Sequence, residues 1–241
     1  METRTLTLST PDGPMPCYEA IPEEAEGMRR GAVVVIQEAF GVNEHIEDVT
    51  RRFAAAGYRA VSPHLFHRTG DPVLDYGNFE KVRPHVEALT QTGLRSDLEA
   101  TFGHLATAGF GPSRVGVVGF CMGGTVSFLA AARHGLGAGV TFYGGGVAEG
   151  RFGMPSLVEM APSLKTPWLG LYGDLDPSIP VEQVESLREA AAKAPVPTEI
   201  VRYPEAGHGF HCDVRDSYDK ASATDAWQRT LDWFEQHLSV R

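Results

Sequence analysis

The sequence predicts an α/β fold, in which a mostly parallel sheet of about eight strands carries helices on both faces. First, apolar β-branched runs such as residues 32–36 and 115–119 lack polar alternation, which is typical of strands buried on both faces. Second, such runs alternate along the chain with amphipathic helical segments such as residues 94–108. Third, the 241 residues are 42% hydrophobic, which suffices for one large core, so we expect a single domain over residues 1–241.

Eight segments have the pattern of strands, and turn residues at 11–14 join the first two into a hairpin. The predicted strands span residues 5–8, 15–19, 32–36, 58–62, 115–119, 139–143, 167–172 and 198–203. The predicted helices span residues 44–56, 94–108, 125–133, 181–192 and 218–238. Residues 64–93 are irregular, because Pro84 disfavours a single helix there, and residues 144–162 have the composition of a loop.

The composition argues against several classes of protein. A net charge of −10 without any basic run is unfavourable for binding nucleic acid or an anionic membrane. The three cysteines are irregularly spaced, form no disulfide framework and fit a reducing compartment. The N-terminus lacks the pattern of a signal peptide, and the longest aliphatic run, residues 32–36, is too short to cross a bilayer. We therefore expect a cytoplasmic protein.

Reactive and polar residues follow four of the predicted strands. The segments are QEAFG at 37–41, GFCMGG at 119–124, GDLD at 173–176 and GHGF at 207–210. In a parallel sheet, the carboxyl ends of the strands meet at one edge, where sites usually form. We therefore expect a thiol, carboxylates and an imidazole to lie together.

The strongest of these signals is the segment around Cys121. Gly-x-nucleophile-x-Gly between a strand and a helix is the pattern of a nucleophile elbow, in which the next backbone N–H can bind an oxyanion. A lone cysteine is more often a small buried apolar residue, but the strand, the glycines and the helix together favour a nucleophile. The glycine order does not match Gly-x-Gly-x-x-Gly, which argues against a dinucleotide site.

A thiol nucleophile needs a base and a group that orients the base. His208 follows the last predicted strand, and Asp176 follows the strand before it, which gives the order nucleophile, acid, histidine. Asp174 is the rival acid; we favour Asp176 because the acid is typically the fourth residue of such a turn.

Two histidine sets could be drawn as metal ligands. They are His64 with His67, and His208 with His211 and Cys212. Neither has the full spacing of a zinc site, so we expect no metal and no cofactor.

Glu38 ends a strongly apolar strand, where a charge is costly unless it is paired or functional. It could form a salt bridge with a nearby arginine such as Arg68. Alternatively, its carboxylate lies near Cys121 and biases the charge state of the thiol.

Together, the four segments resemble the signatures of the dienelactone hydrolase (carboxymethylenebutenolidase) family, in the same order over essentially the whole chain. The resemblance implies an α/β-hydrolase fold and a Cys121–His208–Asp176 triad without a cofactor. It also implies that Glu38 holds the resting thiol and swings away when substrate binds. The N–H groups of Ala39 and Met122 would form the oxyanion hole.

The resemblance further implies substrate-binding roles for Phe40, Tyr143 and Arg68, the last being one of two arginines that bind a substrate carboxylate. Four residues after the histidine, where the family has the second arginine, this chain has Cys212. Arg215 is close by in the sequence. This departure weakens the carboxylate-binding pair that the family resemblance implies.

We expect a cysteine-dependent hydrolase of lactones or small esters that acts through an acyl-thioester. The alternative within the same class is a thioesterase or a general carboxylesterase. Outside that class, a ligand-binding protein or a thiol redox sensor would also use an accessible cysteine beside an imidazole. The complete triad favours the hydrolase, because sensing needs neither Asp176 nor an oxyanion hole.

Overall fold

The computed structural model describes residues 1–23 and 30–239. Within them, eight strands form one sheet in the order β1-β2-β4-β3-β5-β6-β7-β8. The strands are β1 (Glu2–Thr10), β2 (Gly13–Ile21), β3 (Ala32–Ile36), β4 (Arg59–Pro63), β5 (Val115–Phe120), β6 (Ala138–Phe142), β7 (Trp168–Gly173) and β8 (Thr198–Tyr203). The helices are α1 (Glu44–Ala55), α2 (Phe79–Glu87), α3 (Gln91–Thr107), α4 (Met122–Arg133), α5 (Leu157–Met160), α6 (Val181–Ala191) and α7 (Lys220–His237).

The sheet is antiparallel at one edge and parallel elsewhere. β1 pairs with β2, and β2 pairs with β4, in antiparallel register, whereas every pair from β4 through β3 to β8 is parallel. The predicted mostly parallel sheet of about eight strands is therefore confirmed. The hairpin strands are longer than predicted, because the β1–β2 pairing extends from Glu2↔Ile21 to Thr10↔Gly13.

Helices cover both faces of the sheet, as predicted. Alternate residues of β3 point to opposite sides: Val34 belongs to one apolar cluster and Val33 to the other. The first cluster includes residues of α3, α4 and α6, and the second includes residues of α1 and α7. β3 and β5 are fully buried, which explains their uninterrupted apolar sequences.

Two segments are more regular than the sequence suggested. Phe79–Glu87 is a helix despite Pro84, because proline removes only one hydrogen bond from this short surface helix, which Asn78 caps. Residues 144–162 contain the single turn α5, which begins with a reciprocal capping box between Ser156 and Glu159. Over the described ranges, no helix combines the length and apolar character that a membrane span requires.

Candidate active site

Cys121 lies in a sharp turn between β5 and α4. Its backbone has φ 54° and ψ −117°, a conformation that a non-glycine residue rarely adopts. A Cβ at Gly119 would lie 1.9 Å from the carbonyl oxygen of Gly123, and a Cβ at Gly123 would lie 2.4 Å from that of Gln37. Both glycines are therefore required for the strand and helix to approach so closely, as the elbow pattern predicted.

His208 and Asp176 complete a continuous line of contacts with Cys121. The His208 Nε2 atom lies 3.0 Å from Cys121 Sγ, and its Nδ1 atom lies 2.6 Å from Asp176 Oδ2. The other Asp176 oxygen accepts hydrogen bonds from the backbone N–H and the hydroxyl of Ser178, at 2.8 and 2.6 Å. Ser178 was not among the predicted residues, although a serine two positions after an aspartate is a recognisable turn signal.

These contacts shift the protonation of the imidazole. Burial disfavours its charged form, but the hydrogen bonds to Asp176 and Cys121 outweigh burial and raise the pKa of His208 to about 10. Burial also opposes ionisation of Asp176, yet the contacts with His208 and Ser178 lower the pKa of that carboxyl. The contact with Asp176 thus stabilises the imidazolium form of His208.

The rival acid, Asp174, points to a different partner. Both of its oxygens accept hydrogen bonds from Arg202, each at 2.7 Å. Arg202 also donates to Glu185 at 2.8 Å, so Asp174 belongs to a surface ion-pair network. Only Asp176 of the two candidates contacts His208 in the described chain.

The predicted oxyanion donors belong to two turns, the one after β3 and the one between β5 and α4. Met122 is the first residue of α4, so its N–H has no intrahelical acceptor. Ala39 is buried in the turn after β3, and no acceptor for its N–H occurs among the described residues. Both N–H groups are thus available to a ligand.

Glu38 is fully buried, and its partner is Arg215 rather than Arg68. Arg215 donates to Glu38 Oε1 at 3.3 Å, whereas Glu38 Oε2 has no hydrogen-bond partner among the described residues. The Arg215 guanidinium also lies over the rings of Phe40 and Tyr76, at 5.7 and 5.6 Å from their centroids. Arg215 is 177 positions from Glu38, so sequence proximity could not reveal the pair.

Arg68 lies in a different setting from the one that the resemblance implied. Its guanidinium donates two hydrogen bonds to the fully buried Asp97, at 2.7 and 2.8 Å, and a third to Asp12 at 2.8 Å. A substrate carboxylate would have to displace these partners. A substrate-binding role for Arg68 stays a prediction, which this geometry does not support.

Phe40 and Tyr143 are the other predicted substrate contacts, and they lie beside Arg215 and His208 respectively. The ring of Tyr143 lies 5.2 Å from the His208 ring, and its buried hydroxyl has no partner in the described chain. Burial, followed by the negative charge of Glu38, raises the pKa of Tyr143 well above its ordinary value. The Phe40 ring lies 4.6 Å from that of Tyr76, which the sequence analysis did not identify.

Cys212 is buried and lies 3.4 Å from the hydroxyl of Tyr76. Asn43 donates to the same hydroxyl at 2.9 Å. The residue at the expected arginine position therefore helps to hold the segment around Tyr76 instead of presenting a charge.

The histidines considered as metal ligands have other partners. His64 contacts Asp71 at 2.8 Å, and His67 contacts Asp97 at 3.2 Å. Within residues 1–23 and 30–239, no group of three or more His, Cys, Asp or Glu side chains could hold a metal ion.

The arrangement provides what acyl transfer requires. A thiol contacts an imidazole, a carboxylate fixes that imidazole, two N–H groups are available for an oxyanion, and a guanidinium lies beside them.

Comparison with known proteins agrees with this chemistry. Residues 15–238 match the model of the dienelactone hydrolase family. The chain is 42% identical to a Yersinia pestis protein named "Putative carboxymethylenebutenolidase", over 96% of this chain and 87% of that protein. It is 31% identical to a Bradyrhizobium protein named "Probable 2-oxo-3-(5-oxofuran-2-ylidene)propanoate lactonase", over 87% of this chain and 85% of that protein.

A solved structure is similar along the whole chain. It is a crystal structure of a "Putative Dienelactone Hydrolase" from Klebsiella pneumoniae, with a TM-score of 0.90 and 39% identity. The match covers 98% of each chain.

Proposed function

The chain belongs to the dienelactone hydrolase family, and from this premise we propose that it hydrolyses lactones and small carboxylic esters with Cys121 as the nucleophile. The observation that carries the proposal is the line of contacts from Cys121 Sγ through His208 to Asp176, at 3.0 and 2.6 Å. A general acid–base needs such hydrogen-bond reach to its nucleophile and its orienting group.

In the first half-reaction, the proton that Cys121 and His208 share lies on His208 Nε2 while Cys121 Sγ attacks the carbonyl carbon. The carbonyl oxygen becomes an oxyanion, which the N–H groups of Ala39 and Met122 stabilise. Collapse breaks the C–O bond, and the imidazolium gives its proton to the departing oxygen. In a lactone, that alcohol stays attached to the acyl group, so the product is a hydroxyacyl-thioester.

In the second half-reaction, His208 removes a proton from water, and the resulting hydroxide attacks the thioester. Collapse breaks the C–S bond, releases the carboxylic acid and returns the proton to sulfur. Asp176 keeps the imidazole in the productive tautomer and stabilises its positive charge in both halves.

Glu38 and Arg215 adapt the site to a substrate carboxylate. The single 3.3 Å contact to Arg215 leaves one Glu38 oxygen unpaired, so a substrate anion can exchange with Glu38 on the guanidinium. Glu38 then moves relative to Cys121, consistent with the swinging role that the family resemblance implies. Arg215 then binds the substrate carboxylate in place of the second family arginine, whose position is occupied by Cys212 in this chain.

The decisive experiment compares Cys121→Ala with Cys17→Ala, a variant of a buried cysteine that lies on β2. We expect Cys121→Ala to lose turnover of aryl esters and γ-lactones, by a factor of at least about 10³. Cys17→Ala should retain it. Intact-mass spectrometry of the wild type should also show a transient acyl adduct, which is absent in Cys121→Ala. Turnover in Cys121→Ala, or oxidation of Cys121 without acylation, would contradict the proposal.

The alternatives within the class need a substrate panel. Comparing a lactone, an aryl ester and an acyl-thioester of the same acyl group separates a lactonase from a thioesterase or general carboxylesterase. We expect the highest kcat/KM for the lactone.

A further inference from the structure

A groove of roughly 540 Å³ lies beside the candidate active site. Its walls come from the start of α1, from the segment before α2 and from the loop after His208. The residues that carry the argument below are Val73, Leu74, Asp75, Tyr76, Asp213 and Val214.

The groove adjoins the residues around Glu38 and Arg215 through one shared side chain, Tyr76. Tyr76 lines it and also packs against Phe40 at 4.6 Å and under the Arg215 guanidinium at 5.6 Å. The Leu74 N–H donates to the Phe40 carbonyl at 2.9 Å, which fixes the groove segment to the turn that follows β3. A substrate bound at Cys121 could therefore extend past Tyr76 into the groove.

The apolar wall of the groove is unusually exposed. Val73 and Val214 are 64% and 66% accessible to solvent. Of the large hydrophobic residues that are exposed in residues 1–23 and 30–239, only Met1 lies away from the segments around the site. The others are Val73, Phe79, Leu175, Val214 and Tyr218. Clustered exposed apolar side chains beside a reactive group indicate a ligand surface.

We infer that this groove binds an apolar, non-reacting part of the substrate, such as an alkyl chain on the lactone ring. The inference rests on the proposed function and specifies its substrate class. Burying such a chain against Val73 and Val214 removes apolar surface of both partners from water, which favours longer chains.

Acidic side chains of the groove select against a charged chain. Asp75 and Asp213 line the groove, together with Glu44 and Asp48, which form ion pairs with Arg51. A second carboxylate on the chain would face these acids, and like charges disfavour its binding. The groove thus suits a neutral chain, whereas Arg215 suits a carboxylate at the ring.

The test uses γ-butyrolactones with linear γ-alkyl substituents from methyl to hexyl. For the wild type, we expect kcat/KM to rise about two- to fourfold with each methylene until the groove is filled. The double variant Val73→Thr/Val214→Thr preserves side-chain shape but should reduce this dependence. The unsubstituted lactone provides the reference for each protein, and Val196→Thr, at a half-buried valine outside the groove, is the control.

A second series carries a terminal carboxylate on the chain. Asp75→Asn/Asp213→Asn should raise the kcat/KM of that substrate at least about threefold relative to the neutral chain. The single variant Asp216→Asn, an exposed acid that does not line the groove, should leave this ratio unchanged.

Binding of the corresponding γ-alkyl lactams, measured by calorimetry, makes the test independent of hydrolysis. A Kd that falls with chain length in the wild type, and falls less in the double valine variant, supports the groove even if no lactone is hydrolysed. Hydrolysis of the unsubstituted lactone with no dependence on chain length would overturn the inference and leave the proposed function intact. A chain-length dependence that the double valine variant retains in full would also overturn it.

Discussion

Two arginine–carboxylate pairs near the carboxyl edge of the sheet differ in how completely they are satisfied. Arg68 makes three hydrogen bonds of 2.7–2.8 Å to Asp97 and Asp12, and Asp97 uses both of its oxygens. Arg215 makes one contact of 3.3 Å to Glu38, whose second oxygen is buried without a partner. Both carboxylates, Asp97 and Glu38, are fully buried.

The difference separates a structural pair from an exchangeable one. Removing a partner from a saturated, bidentate pair leaves a buried charge uncompensated, which is costly. In a half-satisfied pair, one carboxylate oxygen is already buried without a partner. Replacing that carboxylate on the arginine by a ligand anion therefore adds little to the free energy of desolvation. An arginine in the right sequence position is therefore a weaker indicator of ligand binding than an arginine with an unsatisfied partner.

The largest expected effect is on stability, at the saturated pair. Asp97→Asn should lower the free energy of unfolding by about 3 kcal/mol, because Arg68 and His67 lose a buried anion. Urea unfolding followed by circular dichroism measures the change. A decrease in unfolding free energy below about 1 kcal/mol would contradict the structural role assigned to the Arg68–Asp97 pair.

The next effect is on substrate recognition, at the exchangeable pair. Arg215→Met should lower kcat/KM for a carboxylate-bearing lactone about 10- to 100-fold relative to its neutral amide, because one charge-assisted contact is lost. Arg68→Met is the control and should leave this ratio unchanged while destabilising the fold. The opposite pattern would assign the carboxylate to Arg68.

The contact between His208 and Asp176 adds a pH-dependent pair to the comparison. Folding raises the pKa of His208 from 6.5 to about 10, so its protonated form stabilises the fold fully below pH 6.5. That contribution is lost as pH rises from about 6.5 through about 10. The difference in unfolding free energy between the wild type and His208→Gln should therefore shrink by about 1 kcal/mol over this range. A difference that grows with pH would contradict the assigned charge.

The smallest effect on stability is expected for Glu38→Gln, below about 1 kcal/mol, because its ion pair is only half formed. Removing this negative charge favours the Cys121 thiolate, so iodoacetamide should label the thiol at least about threefold faster. Glu44→Gln, on the surface, is the matched control. An unchanged labelling rate would show that Glu38 does not affect the charge state of Cys121 and only pairs with Arg215.

Much of the fold could be predicted because local patterns determine it. Uninterrupted apolar runs identified the buried strands. The predicted family, fold class and assignment to the carboxylic ester hydrolases are confirmed by the comparisons with known proteins. The helix around Pro84 was not predicted, because the low helix propensity of proline was the only factor considered. The Asn78 cap and the surface position of the helix compensate for that low propensity. The turn α5 had a readable capping box in Ser156 and Glu159.

The site was predictable where residues follow strand ends, and less so where contacts join distant segments. Cys121, Asp176 and His208 meet because parallel strands place their carboxyl ends together. The partners of Glu38 and Arg68 depend on how separate loops pack, which no local pattern encodes. The catalytic roles, the single domain and the cytoplasmic location stay predictions.

The backbone of Cys121 has a consequence for how this chain could evolve. At φ 54° and ψ −117°, any side chain at this position is held in an unfavourable conformation, at a cost of about 1–3 kcal/mol. Glycine would adopt the same conformation with less strain, so the fold would gain stability by losing its nucleophile. Selection for stability alone would therefore favour glycine at this position. Selection for turnover is what would retain the cysteine.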